Sequence, residues 1–196
     1  MFVGANPHTS PLQSSVHLSA ARGHTGCLMA LLGAGVDPDK EARTGSNGDD
    51  ENQIQSTNTQ STALYAAVVH GHPEAALVLL QAGASAHQGN GEESPLHAAT
   101  RRALFSPCDL RLPAILLHFG ADPRTEDAQG QRPVDLVPLY STIYALLLPK
   151  GPQDLIQLCR LAIRCHLGWH RLNVLHTLPL PTLLIDFLLF RDCAKC

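Results

Sequence analysis

Residues 61–85 read Ser61-Thr62-Ala63-Leu64-Tyr65-Ala66-Ala67-Val68-Val69-His70-Gly71-His72-Pro73-Glu74-Ala75-Ala76-Leu77-Val78-Leu79-Leu80-Gln81-Ala82-Gly83-Ala84-Ser85. A hydroxyl residue opens an apolar run of helical period, and Gly71-His72-Pro73 interrupts it. A second apolar run ends on a leucine pair, and Gly83 closes the unit. Thr62 is suited to cap the first helix, and Pro73 to start the second without the loss of a hydrogen bond. Gly71 and Gly83 can take the left-handed conformation that ends each helix. The stretch predicts two short antiparallel helices.

The pattern recurs. Ser14-Ser15-Val16-His17, Thr62-Ala63-Leu64-Tyr65, Ser94-Pro95-Leu96-His97 and Arg132-Pro133-Val134-Asp135 align, their fourth positions spaced by 48, 32 and 38 residues. Gly23-His24 matches Gly71-His72. Leu31-Leu32, Leu79-Leu80 and Leu116-Leu117 supply the leucine pairs. Gly35-Val36-Asp37, Gly83-Ala84-Ser85 and Gly120-Ala121-Asp122 close the units. A period near 33 with two insertions accounts for all three spacings, and both period and pattern resemble the ankyrin repeat. The small pairs Ser19-Ala20, Ala66-Ala67 and Ala98-Ala99 allow close helix approach. Each unit buries its apolar face against its neighbours, as a solenoid does.

The resulting expectation is an all-α ankyrin-repeat solenoid over residues 1–148, with cores near 14–37, 61–85 and 94–122 and a partial unit at 130–148. The insertion at 39–60 is almost free of apolar residues apart from Ile54 and is expected to be a flexible loop. The other insertion, Ala103 to Leu112, lengthens the link inside the third unit. Gly4-Ala5-Asn6-Pro7 reads like the closing turn Gly120-Ala121-Asp122-Pro123. On that reading the chain is a shortened form of a longer protein, and its first helix pair should expose Val16, Leu28 and Leu31.

Composition divides the chain in the same way. Residues 1–149 carry 8 Lys+Arg against 14 Asp+Glu, and residues 150–196 carry 6 against 3. The net charge of -3 argues against a nucleic-acid binder, which needs a basic stripe. The most apolar stretch, 178–190, is broken by Pro179, Pro181 and Asp186, short of the ~18 apolar residues of a membrane span. Six scattered cysteines (27, 108, 159, 165, 193 and 196) and the lack of a signal peptide point to a reduced compartment, the cytoplasm or nucleus.

Beyond Pro149 the period ends. Leu155, Leu158, Cys159, Ala162 and Ile163 form one apolar stripe on a helix, opposite a polar face of Gln157, Arg160 and Arg164. Gly168 should stop this helix, a second short one should run near Arg171 to His176, and a last one from Leu183 to Phe190. Leu178-Pro179-Leu180-Pro181 should be extended between them. Leu155-x3-Cys159-x3-Ile163 followed by Leu178-Pro179-Leu180-Pro181 resembles the two boxes of a three-helix SOCS box, here residues 150–190 with a tail at 191–196. The combination resembles the ankyrin repeat and SOCS box family.

The resemblance implies a substrate-recognition subunit of an E3 ubiquitin ligase. Leu155, Leu158, Cys159, Ala162 and Ile163 would meet Elongin C, which pairs with Elongin B. Leu178, Pro179, Leu180 and Pro181 would select cullin-5 with its RING protein, and the repeats would bind a protein target for ubiquitination. It implies no catalytic residue, cofactor or metal in this chain. The residues agree. His17, His24, His72 and His97 occupy repeat positions that stabilise turns and loops. Cys165-His166 with His170 lacks a fourth ligand. Cys193-x2-Cys196 has Lys195 where prenylation needs an aliphatic residue. The other reading is a non-ligase ankyrin scaffold whose apolar tail caps the stack, or a shortened form that competes for Elongin without holding a target.

Overall fold

The computed structural model describes residues 11–43, 60–105, 110–139, 141–148, 155–172 and 174–190. Three helix pairs stack: α1 (Pro11–Ala21) with α2 (Thr25–Gly33), α3 (Ala63–His70) with α4 (Pro73–Gln81), and α5 (Pro95–Phe105) with α6 (Arg111–His118). The first helices form one row, α1 on α3 on α5. The second helices form the other, α2 on α4 on α6. A 3-10 turn (Pro133–Leu136) and α7 (Thr142–Leu147) replace a full fourth unit.

The core lies between the rows. Leu64, Leu79, Leu80, Leu96, Leu112 and Leu116 are fully buried, with Ala63, Ala67, Ala75, Ala76 and Ala99 filling the close approaches. Thr62 caps α3, its Oγ1 accepting the Tyr65 amide at 3.2 Å. Ser94 acts differently: its hydroxyl lies 2.8 Å from His97 Nδ1. Because His97 Nε2 donates to the Gln131 carbonyl at 2.9 Å, Nδ1 is left to accept from Ser94. The histidines tie units together. His17 Nε2 meets the Ser61 carbonyl at 2.6 Å, and His72 Nε2 meets that of Ala21 at 3.0 Å.

Two expectations are corrected or narrowed. Val16 and Leu28 are buried and Leu31 is half-buried in the main core, with the second repeat stacked on the first pair; Leu18 and Met29 are exposed large apolar side chains among the described residues of that pair. The insertion at 39–60 is held at its base by a two-residue antiparallel ladder, β1 (Ala42–Arg43) with β2 (Gln60–Ser61). Asp39 there accepts the Ser85 amide at 2.7 Å. Residues 44–59 lie outside the described residues. So do the turn at 4–7, the tip of the second insertion at 106–109, and the tail at 191–196.

The last module begins with α8 (Leu155–Leu172), two helical segments joined across a kink at Gly168, where φ is 69° and ψ 164°, so the expected helix break falls at that glycine. The second segment expected near Arg171 to His176 begins earlier, directly after Gly168, ends at Leu172, and is followed by a 3-10 turn (Leu175–Thr177). The final helix, α9 (Thr182–Leu188), stops short of Phe190. Leu172, Leu175, Ile185, Leu188 and Leu189 form a small second core.

Candidate functional site

Helix α8 presents two faces whose orientation inverts the ordinary rule. Leu155 is 72% and Ile163 41% exposed, and Leu158, Cys159 and Ala162 are exposed between them. Ile156 adds to the same open surface. The face that carries the charges points inward instead. Arg160 and Arg164 are 5% and 8% exposed. An apolar stripe on a short helix normally seeks the core. Here the neighbouring surface offers what a guanidinium needs more than what a leucine needs.

That surface is made of helix C-termini and aromatic rings. The last carbonyls of a helix have no intrahelical partner and carry partial negative charge. Arg164 satisfies several of them at once: Nη2 donates to the Leu80 carbonyl at 2.6 Å and to that of Gln81 at 3.2 Å, both at the end of α4. Its Nη1 donates to the Leu188 carbonyl at 2.6 Å, at the end of α9. The Arg160 guanidinium lies over the rings of Phe187 and Phe190, 3.8 and 4.4 Å from their centroids, a favourable cation–π arrangement. Burial, with the Arg160 charge adding to it, depresses the Arg164 guanidinium to about 10; it stays charged at neutral pH.

Further contacts seat α8 on the repeats. Gln157 Nε2 donates to the His118 carbonyl at 2.5 Å. Gly120 and Gly83, at φ 90° and 106°, close the third and second units. A Cβ on Gly120 would come within 2.9 Å of Leu161 Cδ1, and one on Gly83 within 2.9 Å of the Trp169 Cβ. Both positions favour glycine for their backbone conformation, and at Gly83 the close approach of the Trp169 backbone, with its Cα 3.0 Å from an added Cβ, requires it as well. Phe190 is wholly buried in the main core, and its carbonyl accepts from Gln81 Nε2 at 3.4 Å.

The second predicted segment divides. Leu178 is 48% exposed, Pro179 and Pro181 are exposed, and Leu180 packs on the small core. Val174, Leu183 and Leu184 extend the open apolar surface on this side. Reading the sequence alone missed Leu161, Trp169 and Phe190 as the residues that join the modules. The one available signal was the pair Arg160 and Arg164, four apart, with Phe187 and Phe190 downstream. Among the described residues no group of three or more His, Cys, Asp or Glu is placed to hold a metal. Among the same residues, no helix is long and apolar enough to cross a membrane.

Known proteins carry the same two parts. Residues 151–189 match the SOCS box family. Ankyrin repeat and SOCS box protein 9 of Mus musculus is 36% identical over 185 residues, covering 93% of this chain and 57% of its own length. Ankyrin repeat and SOCS box protein 5 of Mus musculus is 34% identical over 180 residues, with 91% and 49% covered. The crystal structure of the human ASB11 ankyrin repeat domain superposes with a TM-score of 0.54 at 28% identity, covering 71% of this chain and 54% of that one. The chain spans about half the length of the curated relatives it matches. Fold and sequence together define an ankyrin solenoid that carries a SOCS box. The chain belongs to the ankyrin repeat and SOCS box family.

Proposed function

We propose that the chain is the substrate-recognition subunit of a cullin-RING ubiquitin ligase, with Elongin B and Elongin C as adaptors and cullin-5 with its RING protein as the arm. It acts in the cytoplasm or nucleus and contributes no catalytic group. Leu155, Leu158, Cys159, Ala162 and Ile163 are the Elongin C contacts. Leu178, Pro179 and Pro181 face the cullin side, with Leu180 holding that segment to the box. The repeats hold a protein target, so the gain in rate comes from proximity.

The observation that carries this reading is the outward stripe of α8. A continuous apolar row on a helix whose other face is already fixed to the protein marks an interaction surface. A scaffold whose tail merely capped the stack would turn that row inward.

Co-expression with Elongin B and Elongin C tests it. A stoichiometric ternary complex is expected, and Leu155→Ala with Cys159→Ala should abolish it. Wild-type capture by that double variant would overturn the assignment.

A further inference from the structure

Arg164 is held differently from an ordinary surface or interface arginine. Its guanidinium bonds are to backbone carbonyls: Leu80 and Gln81 in the second repeat, and Leu188 in the box itself. The rings of Phe190 and Phe119 lie 5.2 and 5.8 Å from its carbon. One planar, rigid group therefore fixes the relative placement of three elements, α4, α8 and α9. Carbonyls on helix ends cannot swing as a carboxylate side chain can, and a lysine ammonium is a point charge without the fork that spans them. The outward stripe lies on the opposite face of the same helix, so whatever sets the roll and tilt of α8 also sets the direction in which the stripe points.

We infer that Arg164 is a positioning residue, fixing the angle at which the SOCS box carries its outward stripe relative to the repeats. Its consequence rests on the ligase reading: a target on the repeats is presented to the ligase arm along a constant vector. Gln157 on His118, Leu161 on Gly120 and Trp169 on Gly83 complete the seat. Arg164 joins a repeat helix to a second helix of the box through one side chain.

The test uses the full chain bound to Elongin B and Elongin C, comparing wild type with Arg164→Leu and Arg164→Lys. Arg164→Lys keeps the charge and guards against misfolding of the leucine variant. Because the stripe faces away from Arg164, both variants should bind the Elongin pair within about threefold of wild type by titration calorimetry. Small-angle scattering of the same complexes should show a broader pair-distance distribution and a longer maximum dimension than wild type, with lysine failing to restore the wild-type curve. In the free chain, amides of 155–172 should exchange faster while those of 63–81 stay as they were. Superimposable scattering curves would overturn the inference. So would a parallel loss of Elongin binding and helical signal in both variants, which would make Arg164 a folding residue of the box. Failure of the wild-type chain to bind Elongins would remove the ligase reading alone, since the exchange comparison still decides the role of Arg164.

Discussion

The ring of Phe190 stacks on that of Phe119, centroids 4.0 Å apart and planes 30° from parallel. Phe119 ends the second helix of the third repeat, whereas Phe190 follows the last helix of the box. Phe190 adopts φ 57°, a left-handed conformation that costs a non-glycine residue about 1–2 kcal/mol and is sustained here by the burial of its ring. Phe190→Ala should therefore destabilise the docked box by about 3–5 kcal/mol. Thermal unfolding should show an early transition assigned by hydrogen exchange to 155–188, with the repeats melting later.

The stripe separates binding from stability. Leu155→Ala and Leu158→Ala remove side chains that face water, so each should shift the unfolding free energy by less than about 0.5 kcal/mol. Loss of a buried anchor in the complex should weaken Elongin binding by roughly 30- to 1000-fold. Denaturant melts and calorimetric titration on the same samples check both halves.

Leu178 and Leu180 should behave differently although they lie two residues apart. Leu178→Ala with Pro179→Ala should reduce cullin-5 capture while the Elongin complex persists. Leu180→Ala loosens the core of Leu172, Leu175 and Ile185, and should lower the stability of the box as well. Equal loss of Elongin and cullin-5 in the Leu178 variant would show that this segment is structural.

Asp127 gives the repeats an acid dependence. Its carboxylate accepts the amides of Gln131 and Gln129 at 2.8 and 2.9 Å. The Gln131 amide first, then that of Gln129, hold it below the ordinary 3.8 against the opposing effect of burial. The unfolded chain then binds more protons across that interval, so the stabilisation is present above 3.8 and is lost as pH falls through the lower folded value. Asp127→Asn should be less stable than wild type at neutral pH and converge with it in acid. Melting temperatures measured from pH 7 down to about 2.5 would show the convergence.

The repeats were legible because their signals are local. Gly71, Pro73 and the pair Leu79-Leu80 lie within one unit, and each dictates its own conformation. The outward stripe was equally legible, since spacing alone defines it. The direction of the opposite face was not. Charged residues on an amphipathic helix ordinarily face water, and Arg164 departs from this because of carbonyls at Leu80 and Gln81, more than eighty positions away. Val16 and Leu28 show a similar limit. Their apolarity could be read, but which neighbouring unit they face depends on the direction in which the solenoid grows.

Gly83 and Gly120 tie the two modules together. Each closes a repeat in a conformation that favours glycine, and each leaves the bare surface on which Trp169 or Leu161 rests. A side chain gained at Gly83 would strain the repeat backbone and press on the Trp169 Cβ and backbone in one event. The same feature limits grafting. A SOCS box moved onto a foreign ankyrin array would find its seat only where that array ends two successive units in glycine and supplies an aromatic ring in place of Phe119. The two modules pack as one piece, even though they read as separate in the sequence.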